Sequence, residues 1–202
     1  MLSDPYSRRR FVAIAAAAAT AVGLPTIASA LTEAGAKSLV DNVVAEINGV
    51  IASGKSENAM IRDFERIFAK YADVAIMARY ALGADARRAS PAQLRAFTKS
   101  FQGYIASKYG RRFREFVGGR IEVKTARSIR SGWEIRSTAY LRGQSPFEVT
   151  FLVSDKSGKS LFFNMFIEGV NMLLTERTEI GALLDQRRGD IDQLTRDLNR
   201  SS

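Results

Sequence analysis

The sequence predicts an α+β domain in which helices cover a curved, four-stranded antiparallel sheet. Apolar residues recur at helical spacing from residue 31 to about residue 117, and they alternate with a period of two between residues 120 and 167. Helical spacing then returns near the C-terminus. The connections between the predicted strands are short, and such connections join antiparallel neighbours. The predicted order is four helices, four strands and two helices.

Four helices are predicted before the first strand. They cover residues 31–53, about 56–71, 74–82 and about 90–117. The last of them has the strongest signal. Ser90 is a suitable N-cap, proline follows at the first helical position, and a glutamine three residues after the serine completes a capping box.

The predicted strands begin after a Gly-Gly pair and are separated by turn signals. On the inner face of the second strand, Ser137 and Ala139 are small residues in an otherwise large apolar row. Protein interiors are close-packed, so these positions either receive large side chains from a helix or leave a hollow. The four predicted strands cover residues 120–129, 133–141, 147–154 and 160–167, and the two final helices cover 175–188 and 190–199.

The N-terminal sequence has the pattern of a bacterial export signal. Arg8 and Arg9 stand just before Phe11, an alanine-rich apolar stretch follows, and residues 28–30 form a small-x-small cleavage site. The apolar stretch is too short and too weakly apolar to span a bilayer. We therefore expect a twin-arginine signal peptide at residues 1–30, one mature domain at residues 31–202, and a periplasmic location.

The composition narrows the classes of function. The chain contains no cysteine and no histidine, which removes thiol nucleophiles, Ser-His-Asp triads and nearly all zinc and copper sites. Its serine, aspartate and glutamate residues show no arrangement typical of a hydrolase. We therefore expect a binding protein without catalytic residues, metal or cofactor.

The charge points in the same direction. The formal net charge is +9, and removal of residues 1–30, with three arginines and one aspartate, leaves +7. A basic protein in the periplasm meets anionic lipid head groups and not nucleic acid. Solubility alone is the competing explanation for the charge.

Three segments, taken in order, resemble the periplasmic phospholipid-binding proteins of the MlaC, or toluene-tolerance, family. They are Tyr71 to Gly83, the aromatic stretch from Phe97 to Tyr109, and Ile167-Glu168-Gly169-Val170. Two positions depart from the family pattern. Asn164 stands where the family usually has aspartate, and Asn171 stands where it usually has serine.

The resemblance implies a soluble carrier that hides the acyl chains of a phospholipid between sheet and helices. It also implies two partners, an inner-membrane ABC transporter complex with its substrate-binding subunit and an outer-membrane lipoprotein–porin complex. Shuttling lipid between them would maintain outer-membrane lipid asymmetry. Two alternatives stay open: a carrier of a hopanoid or another polycyclic lipid, and a periplasmic adaptor that binds no lipid.

Candidate site residues follow from this interpretation, although core packing or a solvated surface position competes for each of them. Residues expected at the mouth of the lipid cavity are Ile76, Met77 and Tyr80, on the short third helix. Residues expected to bind the head group are Arg79, Lys108, Arg111 and Arg112. Residues expected to line the lipid cavity are Phe97, Phe101, Tyr104, Ile105 and Tyr109 on the long helix, and Trp133, Ile135, Ala139, Val149, Phe151 and Met165 on the sheet.

Overall fold

A computed structural model of the chain describes residues 30–111 and 117–201. The predicted α+β class is confirmed, with helices on an antiparallel sheet. The predicted signal peptide and Arg112 lie outside the described residues. The helices are α1 (Glu33–Ala52), α2 (Glu57–Tyr71), α3 (Val74–Leu82), α4 (Pro91–Gly110), α5 (Met172–Gln186) and α6 (Ile191–Ser201), with a short 3-10 helix at Gly83–Arg87 after α3.

The capping box predicted for α4 is present. The Gln93 backbone N–H donates to Ser90 Oγ (3.2 Å), and the Ser90 backbone N–H donates to Gln93 Oε1 (3.0 Å). The helix ends at Gly110, and residues 112–116 of the predicted helix lie outside the described residues. At Gly110 a Cβ atom would lie 2.9 Å from Ile61 Cγ1, so glycine permits the close approach of α4 to α2.

The sheet has five strands in sequential antiparallel order. Lys124 of β1 and Phe163 of β4 are extra residues in the pairing with β2 and β3, and such bulges bend strands. The first four strands agree with the predicted ones within one residue at each end. The strands are β1 (Arg120–Ile129), β2 (Gly132–Tyr140), β3 (Phe147–Ser154), β4 (Leu161–Ile167) and β5 (Val170–Asn171).

The fifth strand is a feature that the sequence pattern did not predict, because two residues are too few to show a period. It forms a hairpin with β4, in which Ile167 pairs with Val170. The two turn residues both have positive φ angles, 50° at Glu168 and 79° at Gly169, as in a type I′ turn. The Glu-Gly pair of the family resemblance therefore forms this hairpin turn.

The helices form two levels above the sheet. α1 packs on β1 and β2, while α3 and α5 reach β4. By contrast, α2 packs mainly on α1 and α4, and α4 packs on α2, α3 and α6. Within the described residues, no helix combines the length and apolar character needed to cross a bilayer. The arrangement leaves space between the middle of the sheet and the helices α2 and α4.

Candidate functional site

A cavity of about 150 Å³ occupies the space between β3, β4 and the overlying helices. Its wall is almost wholly apolar, with Glu176 and Asn164 as its main polar members. The helical side of the wall comes from Val43, Ile47, Phe64, Ile67, Phe68, Met77, Ile105, Ala106, Tyr109, Gly110, Met172, Leu173 and Glu176, and the sheet side comes from Ile121, Phe147, Val149, Phe151, Phe162, Asn164, Met165 and Ile167.

Three aromatic rings build one part of this wall. The Phe162 ring meets Phe151 edge-on with centroids 5.7 Å apart, and it lies tilted against Phe68 at 6.1 Å. The backbone of Phe162 is fixed from the helical side, because its carbonyl accepts a hydrogen bond from the Asp73 N–H (2.8 Å). The link between α2 and α3 is thus attached to β4, which positions the ring on the wall.

Five of the sequence-predicted lining residues border the cavity: Ile105, Tyr109, Val149, Phe151 and Met165. They come from the second half of α4 and from the two central strands. Their approach to the cavity follows from the helical and strand periods that predicted them. Their contact with a lipid stays a prediction.

Eight predicted site residues lie away from the cavity wall. Phe97 and Phe101 are fully buried and stack on each other with centroids 5.8 Å apart, in the first half of α4. Ile135 and Ala139 are also fully buried. The structure thus places these four in the packed core. The others are Tyr104, which joins a polar cluster, Trp133, whose Nε1 donates to the Leu31 carbonyl (2.9 Å), and Ile76 and Tyr80 on α3.

The small β2 residues therefore pack against neighbouring side chains and do not border the cavity. Ser137 is 1% exposed and Ala139 is 0% exposed, and α1 packs over this part of the sheet. The cavity lies farther along the sheet, at β3 and β4.

Of the five buried residues on α3, Met77 lines the cavity. Its neighbours Ile76 and Tyr80 face outward and are 43% and 39% exposed. The Arg177 guanidinium lies 5.0 Å from the centre of the Tyr80 ring, a cation–π contact. Two of the three residues predicted at the mouth are thus on the outer surface of α3, and the third, Met77, borders the cavity.

The cationic candidates have different surroundings. Arg79 is exposed on α3. Arg111 is also exposed, and its guanidinium donates to Ser107 Oγ (3.0 Å) on the preceding turn. Among the cationic candidates that the structure describes, Lys108 alone belongs to a network near the cavity.

This network, which we call the α4–α5 polar cluster, consists of Tyr104, Lys108 and Tyr109 on α4 and Glu176 and Glu179 on α5. Lys108 Nζ donates to Glu176 Oε1 (2.9 Å) and also to Glu179 Oε2. The Tyr109 hydroxyl donates to Glu176 Oε1, and the Tyr104 hydroxyl donates to Glu179 Oε1. The Glu179 side chain is 43% exposed and that of Glu176 is 3% exposed, so the cluster runs from solvent to the cavity wall.

Burial and hydrogen bonding shift the pKa values within the cluster. Burial, aided by the bonds to the glutamates, raises the pKa of both tyrosines, which therefore stay protonated. Burial would lower the pKa of Lys108, but its bonds to Glu176 and Glu179 outweigh burial and raise it. Burial would raise the pKa of Glu179, yet its bonds to Lys108 and Tyr104 lower it. The cluster thus holds Lys108 as a cation and Glu179 as an anion at neutral pH.

Glu176 and Glu179 are site residues that the sequence interpretation missed. A usable signal existed for Glu176, because it falls in the helical row Leu173, Glu176, Ile180 and Leu184, which is buried along its length. An ionisable residue in an apolar row is unusual and often functional. Nothing comparable marks the wall residues of α1 and α2, whose apolar stripes match ordinary core.

The two departures from the family pattern complement each other. Asn164 Nδ2 donates to Asn171 Oδ1 (3.0 Å), and Asn164 Oδ1 accepts from the N–H groups of Met165 (2.8 Å) and Leu173 (3.2 Å). Asn171 also caps α5 by accepting from the Leu174 N–H (3.0 Å). The paired amides therefore hold the start of α5 against β4, at the edge of the cavity.

Within residues 30–111 and 117–201, no cluster of three or more carboxylates, histidines or cysteines offers a metal site. The chemistry available at this wall is apolar contact, together with hydrogen bonding and charge from the α4–α5 polar cluster.

Comparisons with known proteins agree with this geometry. Residues 37–200 match a family model described as MlaC protein. Among solved structures, the chain is similar to the phospholipid-binding protein from Ralstonia solanacearum in complex with a phospholipid, with 17% sequence identity and a TM-score of 0.69. That match covers 82% of this chain and 96% of the other. Curated proteins give no match.

Proposed function

The chain belongs to the MlaC family, and from this premise we propose that it is a carrier that binds a phospholipid by its acyl chains. The observation that supports the proposal is the apolar cavity between the sheet and the helices. The similar protein from Ralstonia solanacearum holds a phospholipid in the same fold. A carrier needs no catalytic residue, which agrees with a chain that has neither histidine nor cysteine.

The energetics require an enclosed site. A diacyl lipid has roughly 30 methylene groups, each worth about 0.8 kcal/mol on transfer from water, so both chains together amount to over roughly 20 kcal/mol. A surface groove leaves part of this area in water. A site between two layers of the fold encloses the chains from both sides.

The cavity must widen to take such a ligand. A cavity of about 150 Å³ holds a group about the size of benzene. Two acyl chains are several times larger. The helices α2 and α4 pack mainly on other helices, so their displacement from the sheet is the movement that costs the fewest sheet contacts.

We further propose that the protein works in the periplasm after twin-arginine export, and that it passes phospholipid between the outer-membrane lipoprotein–porin complex and the inner-membrane ABC transporter complex. The sequence pattern of an export signal at residues 7–30 supports a periplasmic location. The basic charge suits work beside anionic membrane surfaces. Outer-membrane lipid asymmetry would depend on this traffic.

Lipid extraction tests the binding proposal. The protein, purified from bacteria without detergent, is extracted with organic solvent and analysed by mass spectrometry. We expect phospholipid in near-equimolar amount. Folded protein that yields no lipid would support the adaptor, and recovery of a hopanoid would support the polycyclic-lipid carrier. Transfer of a fluorescent phospholipid between vesicles, faster with the protein than without it, tests carriage.

A further inference from the structure

One carboxylate oxygen of the cavity wall lacks a hydrogen-bond partner. Lys108 Nζ and the Tyr109 hydroxyl both donate to Oε1 of Glu176, and Oε2 of the same side chain is buried without a donor among the described residues. The residue is 2% exposed and lines the cavity. The wall thus contains an acceptor that the fold leaves unsatisfied.

Such an atom is unusual in a folded protein. Most buried side-chain polar atoms have a partner, and a buried acceptor without one lowers stability. At position 176 an apolar side chain would continue the buried row of Leu173, Ile180 and Leu184 at no such cost. The carboxylate therefore calls for a donor from outside the fold.

The charge of the α4–α5 polar cluster also favours a donor. Glu176 and Glu179 share the one ammonium of Lys108, so the cluster brings two carboxyl groups to one cation. Neither tyrosine adds positive charge. A ligand group that brings a polarised N–H or O–H hydrogen satisfies the free oxygen of Glu176, whereas a bare phosphate oxygen has no hydrogen to donate and is repelled by the Glu179 carboxylate.

The position of the cluster agrees with a lipid lying across the cavity wall. Glu179 reaches solvent, Glu176 borders the apolar space, and Lys108 connects them. The polar end of a lipid placed here would have its chains on the Phe68, Phe151 and Phe162 side of the same cavity.

We propose that this site selects lipids whose polar end carries a hydrogen-bond donor, an ammonium or a hydroxyl, and that Glu176 Oε2 accepts it. The proposal rests on the lipid-binding function proposed above and adds a preference among lipid classes to it. Phosphatidylethanolamine offers an ammonium donor, phosphatidylglycerol offers hydroxyl donors, and phosphatidylcholine carries a cation without a donor hydrogen.

The test is a competition among these three lipids. The delipidated protein is incubated with vesicles that contain them in equal amounts with identical acyl chains, then separated and extracted for mass spectrometry. We expect enrichment of at least one donor lipid over phosphatidylcholine by about tenfold, the scale of one charge-assisted hydrogen bond. Enrichment of phosphatidylethanolamine alone identifies the ammonium as the group, and enrichment of phosphatidylglycerol alone identifies the hydroxyl.

Glu176→Gln isolates the atom concerned. Lys108 holds the oxygen of the new amide in the place of Oε1, so the amide nitrogen replaces Oε2 and presents a donor where an acceptor stood. The enrichment among the lipids that the variant binds should disappear. Glu46→Gln is the matched control, because the Glu46 carboxylate also accepts from a lysine and a tyrosine, Lys70 and Tyr71, but lies outside the cluster and does not border the cavity, and it should retain the enrichment.

The outcomes separate the two proposals. Wild-type protein that binds all three lipids at the input ratio overturns the selectivity and leaves lipid binding intact, and this result needs no variant. Selectivity that survives Glu176→Gln, or that is lost equally in Glu46→Gln, also overturns the role of Oε2. Protein that takes up no lipid in any mixture overturns lipid binding itself, and the selectivity with it.

Discussion

Replacement of Ala106 by phenylalanine should fill the cavity and prevent lipid binding without unfolding the protein. Ala106 is 4% exposed and lies on the cavity wall, in the half of α4 that faces the sheet. A cavity of about 150 Å³ accepts a benzene-sized group, so a phenyl ring at this position has space to enter it.

The expected size of the effect follows from the cavity volume. An unfilled cavity of about 150 Å³ costs up to about 3.6 kcal/mol at about 24 cal/mol per Å³. Part of this is recovered when the ring fills the space, and it offsets the strain of the larger side chain. The free energy of unfolding of the lipid-free variant should therefore stay near that of the lipid-free wild type, or rise.

Ala139→Phe is the matched control, because Ala139 is a fully buried alanine away from the cavity wall. There the same ring must enter a filled interior, which typically costs about 1 to 3 kcal/mol. For a chain of this size that lowers the melting temperature by about 2 to 4 °C per kcal/mol.

The assay measures bound lipid by extraction and melting temperature by calorimetry, on the same delipidated and reloaded preparations. Ala106→Phe should lose lipid and keep its melting temperature, whereas Ala139→Phe should melt several degrees lower. If Ala106→Phe binds as much lipid as the wild type, the acyl chains do not enter this cavity and the reasoning fails.

Three further outcomes are expected. Replacement of Arg8 and Arg9 by lysine should leave precursor in the cytoplasm, measured by cell fractionation, because we expect the twin-arginine pair to direct the protein to its export route. Asn164→Ala should lower the free energy of unfolding by about 1 to 3 kcal/mol in denaturant titrations, since it leaves the Leu173 N–H and its neighbours without an acceptor, and Asn164→Asp should lower it less because it keeps that acceptor. The lowered pKa of Glu179 contributes free energy of unfolding that is present above the group's ordinary pKa of 4.5 and is lost as the pH falls through the lowered pKa. Lys108→Met should therefore reduce this acid-dependent loss, measured by denaturant titrations at several pH values.

Each of these has a contrary result. Export of the double-lysine variant at the normal rate would indicate the general secretory route. Equal losses in the two Asn164 variants would mean that the amide contributes as a donor only. An acid-dependent loss that is the same with and without Lys108 would show that the cluster does not control it.

The sequence predicted the helices and strands well, but it predicted less well what each buried face contacts, as α4 illustrates. One aromatic stripe runs along the whole helix, and its period correctly identified the buried face. The first half of that face meets packed core, at Phe97 and Phe101, while Ile105 and Tyr109 meet the cavity. A period reports that a face is covered. It carries no information on whether the covering neighbours fill the space, because that depends on how far α4 stands from the sheet.

The β2 strand shows the same limit from the opposite side. Its small residues, Ser137 and Ala139, suggested a hollow, yet they are among the most buried residues of the described chain because α1 packs over that part of the sheet. The polar cluster was only half predictable. Lys108 was a candidate for its charge, but its partner Glu176 lies 68 positions away along the chain, and such pairing depends on the tertiary fold.

Photo-crosslinking of a phospholipid with a diazirine near the end of an acyl chain tests directly whether the acyl chains occupy the cavity between the sheet and the helices. The lipid is loaded into the delipidated protein, irradiated, and mapped by peptide mass spectrometry. We expect crosslinks on the cavity wall, at Ile105 of α4 and at Phe162 and Met165 of β4. Crosslinks confined to the outer face of α3, at Ile76 and Tyr80, would contradict it, because the chains would then lie on the surface of the protein.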